Sequence, residues 1–423
     1  MNWLIAVVFI GVYIGMALGR WPGLAINRTG IAVIGAVTLL LSGAITGDGA
    51  LGAIDFATLS VLLTLMVLSS QYAASGFFDW IGHRITHLGG GPRGLLAGVI
   101  AVCGVLSAVM TNDVVVWAVT PILISGVLAR GLDPKPFVIA AACAANAGSA
   151  ATLIGNPQNL MIAEFGHLDF AGFLLVCGVP AIIALGVVYG VIVKSQMMRA
   201  GVGTNMAQGG AAGAEAMSAS ASALTPASEP ASTIDKPILI KALIATVAVI
   251  GIFIFVEDRA LWSLLVVAVL LLSRRLTTDQ VLGRVDWHLL ALFVGLFIVT
   301  GAMSQDDVLA KLFHDVLVSV QINHPAVLAG VSLLGSNTIG NVPLVMMLLS
   351  LGPEWSETLL HGLAVFSTLS GNFLIVGSVA NIIAVEQAHK AGTVISFTDY
   401  ARLGIPITVI SLGLALGWMT LIS

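Results

Sequence analysis

The apolar residues of this chain run in long unbroken blocks. Residues 4–18, 30–45, 59–72 and 171–193 are almost wholly apolar. The strands of a membrane barrel would alternate apolar and polar positions. A helix on the surface of a water-soluble domain would show one polar face. Continuous apolar runs approaching the ~20 residues that cross a bilayer predict spanning helices instead, because a segment in lipid must satisfy its own backbone. The first block has no positive charge before it and no small-residue cleavage site, so it reads as a first span and not as a removed signal.

Residues 200–236 break this pattern. They are rich in Gly, Ala, Ser and Thr, with Pro226 and Pro230 near the end, and predict a flexible linker. The linker divides the chain into residues 1–199 and 237–423, and the two parts echo each other. Ile54-Asp55-Phe56 opens one apolar helix and Val285-Asp286-Trp287 opens another. Ser107 precedes Asn112 by five positions, as Ser336 precedes Asn341. Gly155, Asn159 and Glu164 recur as Gly377, Asn381 and Glu386, and Gly178-x-Pro180 recurs as Gly404-x-Pro406. The matches keep their order at offsets of 222 to 231, the mark of an internal duplication.

Composition and charge narrow the reading. The chain is 58% hydrophobic and 9% charged, too few charges to cover a soluble surface. If residues 94–128 and 325–351 are re-entrant hairpins, each half holds five spans and one hairpin. Fifteen of the seventeen basic residues then fall on one face, with only Arg259 and Lys311 opposite. By the positive-inside rule the linker is cytoplasmic and both termini are external. The odd span number makes the repeats inverted. The predicted fold is an all-α integral membrane protein of two inverted repeats, with broken helices at the midplane. A bacterial cytoplasmic membrane is the expected location.

Four polar islands interrupt apolar helices: residues 107–113, 146–159, 336–343 and 367–381. Gly and Pro there free backbone groups that lipid cannot satisfy, so such segments pack in protein or line a wet cavity. There, half-helix N-termini favour anions and exposed carbonyls favour cations. The three amides and the Pro of Asn156-Pro157-Gln158-Asn159 have no routine packing role. Asp113 is the sharpest residue. An acid this deep is costly and normally functional, and burial favours its neutral form, so it is a candidate proton or cation carrier. Its counterpart in the second half is Val342. Asp55 and Asp286 read as helix caps, and Glu164 and Glu386 as interfacial. Cys103, Cys143 and Cys177 stand singly in apolar settings and predict packing, with no metal site. His83, His87, His314, His324, His361 and His389 lie in or beside loops and read as solvated. No Arg or Lys is expected at the depth of the site.

These motifs carry a resemblance. Thr111-Asn112-Asp113 followed by Thr120-Pro121, residues 154–159, Asn341-Val342-Pro343 and Gly377-Ser378-Val379-Ala380-Asn381 are similar to the ion transporter superfamily. Within it the chain resembles the branch of arsenite permeases and NhaD-type sodium/proton antiporters, related to citrate and divalent-anion transporters. The resemblance implies a scaffold region, a mobile transport region with elevator-type motion, and a homodimer. Carried over residue by residue, it implies a substrate- or ion-binding site of Ser107, Thr111, Asn112, Asp113, Asn156, Asn159, Ser336, Asn337, Asn341, Gly377, Ser378 and Asn381, with Asp113 as the coupling residue. The sodium-coupled dicarboxylate members carry a Ser-Asn-Thr motif in each half. Here Ser336-Asn337-Thr338 matches one of them, but the first half has Thr111-Asn112-Asp113.

The expected function is secondary active transport of a small inorganic solute coupled to protons or sodium, with arsenite or antimonite efflux first. Sodium/proton antiport comes second and a divalent or carboxylate anion permease third. No HExxH occurs, and only Asp113 is a convincingly buried acid, so an intramembrane enzyme is disfavoured. A channel is disfavoured because inverted broken helices point to alternating access. No cofactor, metal or nucleic-acid partner is expected. The partners are the solute, the bilayer and a second copy, with room left for a partner ATPase.

Overall fold

A computed structural model of the chain describes residues 3–195 and 234–422, apart from positions 22, 88 and 353. The expected linker, residues 200–236, lies outside the described residues as far as position 233. Among the described residues the structure is helical and contains no sheet. The first half comprises α1 (Trp3–Leu18), α2 (Arg28–Leu41), α3 (Gly47–Ala53), α4 (Phe56–Ala74), α5 (Phe77–Thr86), α6 (Gly91–Val109), α7 (Asn112–Ala129), α8 (Lys135–Ser149), α9 (Pro157–Gly166) and α10 (Phe170–Lys194). The second comprises α11 (Lys236–Phe255), α12 (Arg259–Leu271), α13 (Thr278–Leu282), α14 (Trp287–Gln305), α15 (Asp307–Ser319), α16 (Pro325–Thr338), α17 (Asn341–Leu351), α18 (Glu357–Ser370), α19 (Val379–Lys390) and α20 (Phe397–Ile422).

Each helix of the first half has its counterpart ten helices later. The caps repeat too. Asn27, Thr46 and Asp55 cap α2, α3 and α4, and Asp258, Thr277 and Asp286 cap α12, α13 and α14, each 231 positions on. In each case a short side-chain oxygen accepts a backbone N–H that the first turn leaves unpaired.

The halves are inverted. Lys135 at the start of α8 pairs with Asp399 at the start of α20 (3.0 Å). Phe173 near the start of α10 packs its ring 5.4 Å from that of His361 in the first turns of α18. So α8 and α20 start together, and α10 and α18 start together elsewhere. Since α18 repeats α8 and α20 repeats α10, equivalent helices enter from opposite sides. Ser70, near the end of α4, likewise meets Arg284, just before α14.

Among the described residues seven helices are long and apolar enough to cross a membrane: α4, α6, α7, α10, α11, α14 and α20. Their outer faces leave large apolar residues such as Ile244, Val247 and Ile182 exposed, as lipid-facing positions are. Two of the seven, α6 and α7, are the arms of the first hairpin. At 19 and 18 residues their length does not mark them as re-entrant. Re-entrance rests instead on where the tip goes: Asn112 N donates to Gly155 O, inside the break between α8 and α9 (3.1 Å). The second hairpin has the shorter arms, 14 and 11 residues.

Close packing at the centre is made possible by small residues. Every residue of α8 from Pro136 to Ser149 is buried. A Cβ on Gly148 would lie 2.1 Å from Gly104 O, so α6 and α8 touch backbone to backbone, the contact that small residues permit between membrane helices.

Candidate functional site

Two kinds of polar site emerge, and the residues singled out from sequence divide between them. The first is an amide cluster where the two breaks meet. Asn146, near the end of α8, is its hub. Its Nδ2 donates to Asn372 Oδ1 (2.9 Å) and Asn381 Oδ1 (3.0 Å). Its Oδ1 accepts from Asn112 Nδ2 (2.9 Å) and Ser378 Oγ (2.9 Å). One side chain thus ties the first hairpin tip to the break of the second half.

Around this hub the remaining amides hold unwound backbone. Asn156 caps α9 and donates to Ser149 Oγ (3.1 Å) and Thr368 Oγ1 (3.2 Å). Asn159 Nδ2 donates to Thr152 O (2.9 Å) and Ser149 O (3.1 Å). Asn381 Nδ2 donates to Gly371 O (2.6 Å) and Leu374 O (3.1 Å). Asn337 Nδ2 donates to Ser370 O (2.9 Å), while its Oδ1 accepts from Leu374 N (3.2 Å). Gly377 leaves room for it, since a Cβ there would lie 2.4 Å from Asn337 Oδ1. Ser336 Oγ donates to Ser367 O (3.2 Å), and Asn341 Oδ1 accepts from Val342 N (2.9 Å). Ser107 is fully buried with no partner for its hydroxyl among the described residues. The carbonyls freed by the breaks therefore find side-chain amides, as burial requires.

The second site is a cleft of about 360 Å³ beside this cluster. Its walls come from α4 (Leu62, Met66, Ser69, Ser70), the start of α7 (Thr111, Asp113, Trp117), Pro157, the start of α14 (Arg284, Asp286) and α19 (Val379, Ile383). Of the twelve site residues drawn from sequence, Thr111 and Asp113 line this cleft. The other ten are not among its lining residues. Asp113 lines the cleft together with Thr111, Ser69, Ser70, Arg284 and Asp286.

Sequence reasoning missed three features of the cleft. Asp286 does cap α14, through Leu289 N (2.9 Å), yet it also lines the cleft. Arg284 brings a guanidinium to a site expected to lack one, and its Nη1 donates to Ser70 O (3.4 Å). Ser69 Oγ is buried and unpartnered among the described residues. None of the three sits in a polar island, so no local signal marked them. The hub Asn146 did lie in an island, at the fourth position from the end of α8 and within a run of small residues. One further reading is corrected: His361 is buried against Phe173 and is not solvated. Its place just inside α18 hid the ring that covers it.

The comparisons with known proteins agree on the class. The profile of the CitMHS family, described as citrate transporter, matches residues 5–354. The chain is 29% identical to the 46 kDa membrane protein of Mycobacterium leprae (strain TN), covering 96% of each. It is 27% identical to the silicon efflux transporter LSI3 of Oryza sativa subsp. japonica, over 92% of this chain and 91% of that one. It is 25% identical to the putative transporter arsB of Dictyostelium discoideum, over 92% and 86%. Among solved structures, the Alcanivorax borkumensis YdaH transporter shares the fold, with a TM-score of 0.54 at 15% identity over 99% of this chain and 96% of that one. This is the superfamily that the sequence motifs resemble. A match over most of the chain, on a helical fold shared with a transporter from end to end, makes this an integral membrane protein that belongs to the CitMHS citrate-transporter family.

Proposed function

We propose that the chain is a proton-coupled secondary transporter that exports a small uncharged inorganic hydroxy acid, arsenous or antimonous acid first among them. The observation that carries this reading is Asp113, an acid set in a cleft beside the hydroxyls of Thr111, Ser69 and Ser70. Hydroxyls offer both donors and acceptors, which suits a neutral molecule bearing several OH groups. The acid supplies a place for one proton. The two relatives named for silicon efflux and as arsB support the same solute chemistry, because silicic and arsenous acids are both neutral polyhydroxy molecules.

In this reading the amide cluster keeps the hairpin tips and breaks in register, while solute and proton meet in the cleft. The basic face that carries Lys135, Arg275 and Arg284 is cytoplasmic, so the cleft receives solute from the cytoplasm and both termini are external. Two other readings keep a foothold. Sodium/proton antiport would use Asp113 with the same oxygens. A carboxylate anion, as in the family's description, would use Arg284.

Flux in proteoliposomes under an imposed pH gradient separates the three. Arsenite flux driven by the gradient and lost in Asp113→Asn supports export of the neutral acid. Sodium flux without arsenite flux, or gradient-driven citrate flux abolished by Arg284→Gln, would replace it with the corresponding alternative.

A further inference from the structure

Asp113 and Asp286 come from opposite halves of the chain and line one cleft. Arg284 lines the same cleft. With both acids ionised the three groups sum to one negative charge, and two carboxylates that share one site oppose each other's ionisation.

The internal repeat supplies a control. Asp55 stands where Asp286 stands, and its two oxygens are both used: Oδ1 accepts from Thr58 N (2.9 Å) and Oδ2 from the Thr58 hydroxyl. The residue equivalent to Thr58 in the second half is Leu289, which offers its backbone N–H to Asp286 and no hydroxyl. The cap at α14 therefore uses one oxygen where the cap at α4 uses two. The residues equivalent to Arg284 and Asp113 are Ala53 and Val342. Arg284 and Asp113 are thus charges of this cleft alone, and of the three only the acid at the position of Asp286 recurs in the other half, as Asp55. A second observation marks the place: Ser69, a buried residue of its lining, has a hydroxyl with no partner among the described residues.

Resting on the reading of Asp113 as the coupling residue, we infer that Asp286 is the second carboxyl of the coupling site, so that the pair holds one proton between the two halves and Arg284 neutralises the remaining charge. The proton comes from water at the mouth of the cleft and returns there. Among the described residues no other charged side chain lines the cleft. The elements packed on α7 are α5, α6, α8 and α19. Their charges are Asp79, His83, Arg84, Arg93, Lys135, Glu386, His389 and Lys390, and none of these lines the cleft. Nor does His288, the second residue of α14.

Asn caps helices about as well as Asp, so Asp286→Asn removes the charge and keeps the cap. The test is infrared difference spectroscopy of the full chain in lipid nanodiscs at neutral pH, read at the carbonyl stretch of protonated carboxylic acids. It needs no solute. The band of one protonated acid is expected in wild type, lost in Asp113→Asn and equally lost in Asp286→Asn, and kept in Arg284→Gln. A band lost in Asp113→Asn but kept in Asp286→Asn would overturn the inference and leave Asp113 as a lone carrier. A band unchanged in both would overturn the coupling reading as well. Asp286→Ser, which also caps, repeats the test if the Asn variant does not yield a monodisperse protein.

Discussion

Asn146 and Asn381, 235 positions apart in the chain, are joined by a hydrogen bond of 3.0 Å at the point where both broken spans meet. The bond is one of four made by Asn146 to Asn112, Asn372, Asn381 and Ser378. Each partner is buried, and a buried polar group left without a partner costs ~1–3 kcal/mol. Asn146→Ala strands four such groups. It should cost about 4 kcal/mol or more in stability, seen as a sharply lower melting temperature in detergent. An unchanged melting temperature would mean that water replaces the side chain, and that the cluster is wetter than its burial implies.

Helix contact through backbone at Gly148 makes a matched pair of variants informative. Gly148→Ala puts a methyl group 2.1 Å from a carbonyl that cannot move aside. Overpacking of this kind costs about 3 kcal/mol or more. Gly186→Ala in α10 meets nothing within 4 Å and should be neutral or gain up to ~1 kcal/mol from helix propensity. Thermal unfolding of the two variants side by side checks the contrast.

Ser69 gives a prediction of opposite sign for stability and transport. Its hydroxyl is buried without a partner, so Ser69→Ala should leave stability equal or better. If the hydroxyl bonds solute, the loss of ~1 kcal/mol raises KM about fivefold. Paired melting and flux measurements decide it: a lower melting temperature would assign Ser69 to packing.

Orientation can be tested by labelling. The native thiols Cys103, Cys143 and Cys177 are all buried, so an impermeant maleimide should leave the wild-type protein unmodified. A cysteine at Ser273, just past α12, should react only from the cytoplasmic side, and one at Glu257, just before α12, only from the external side. Reaction from the reversed sides would invert the topology drawn from the basic residues.

Much of this architecture is written locally. Asp55 and Asp286 announce helix starts because capping is a matter of three residues. The breaks announce themselves because Asn156-Pro157 and Gly377-Ser378 cannot continue a helix in lipid. Asp113 stands out as the lone acid in an apolar run. What the sequence hides is relation across the duplication. Asp286 reads as a cap, and it is one. Its place opposite Asp113 arises only when two inverted halves close on each other. Arg284 lies in a loop by position and in the cleft by folding. The amides show the converse. Read singly, Asn112, Asn156 and Asn381 look free to bind a solute, but in three dimensions Asn112 and Asn381 bond to Asn146, and Asn156 and Asn381 to carbonyls the breaks release.

Asp113 rides on the first hairpin, whereas Asp286 and Arg284 are fixed to the start of α14. Any sliding of the hairpin against α14 carries one carboxyl and leaves the other two charges behind. With a proton aboard, the moving part is electrically silent. Without it, a full negative charge travels, and a membrane potential of 100 mV acts on such a charge with up to ~2.3 kcal/mol. Voltage would then bias the deprotonated stroke, the one that carries solute outward in exchange for a proton, and leave the protonated return untouched.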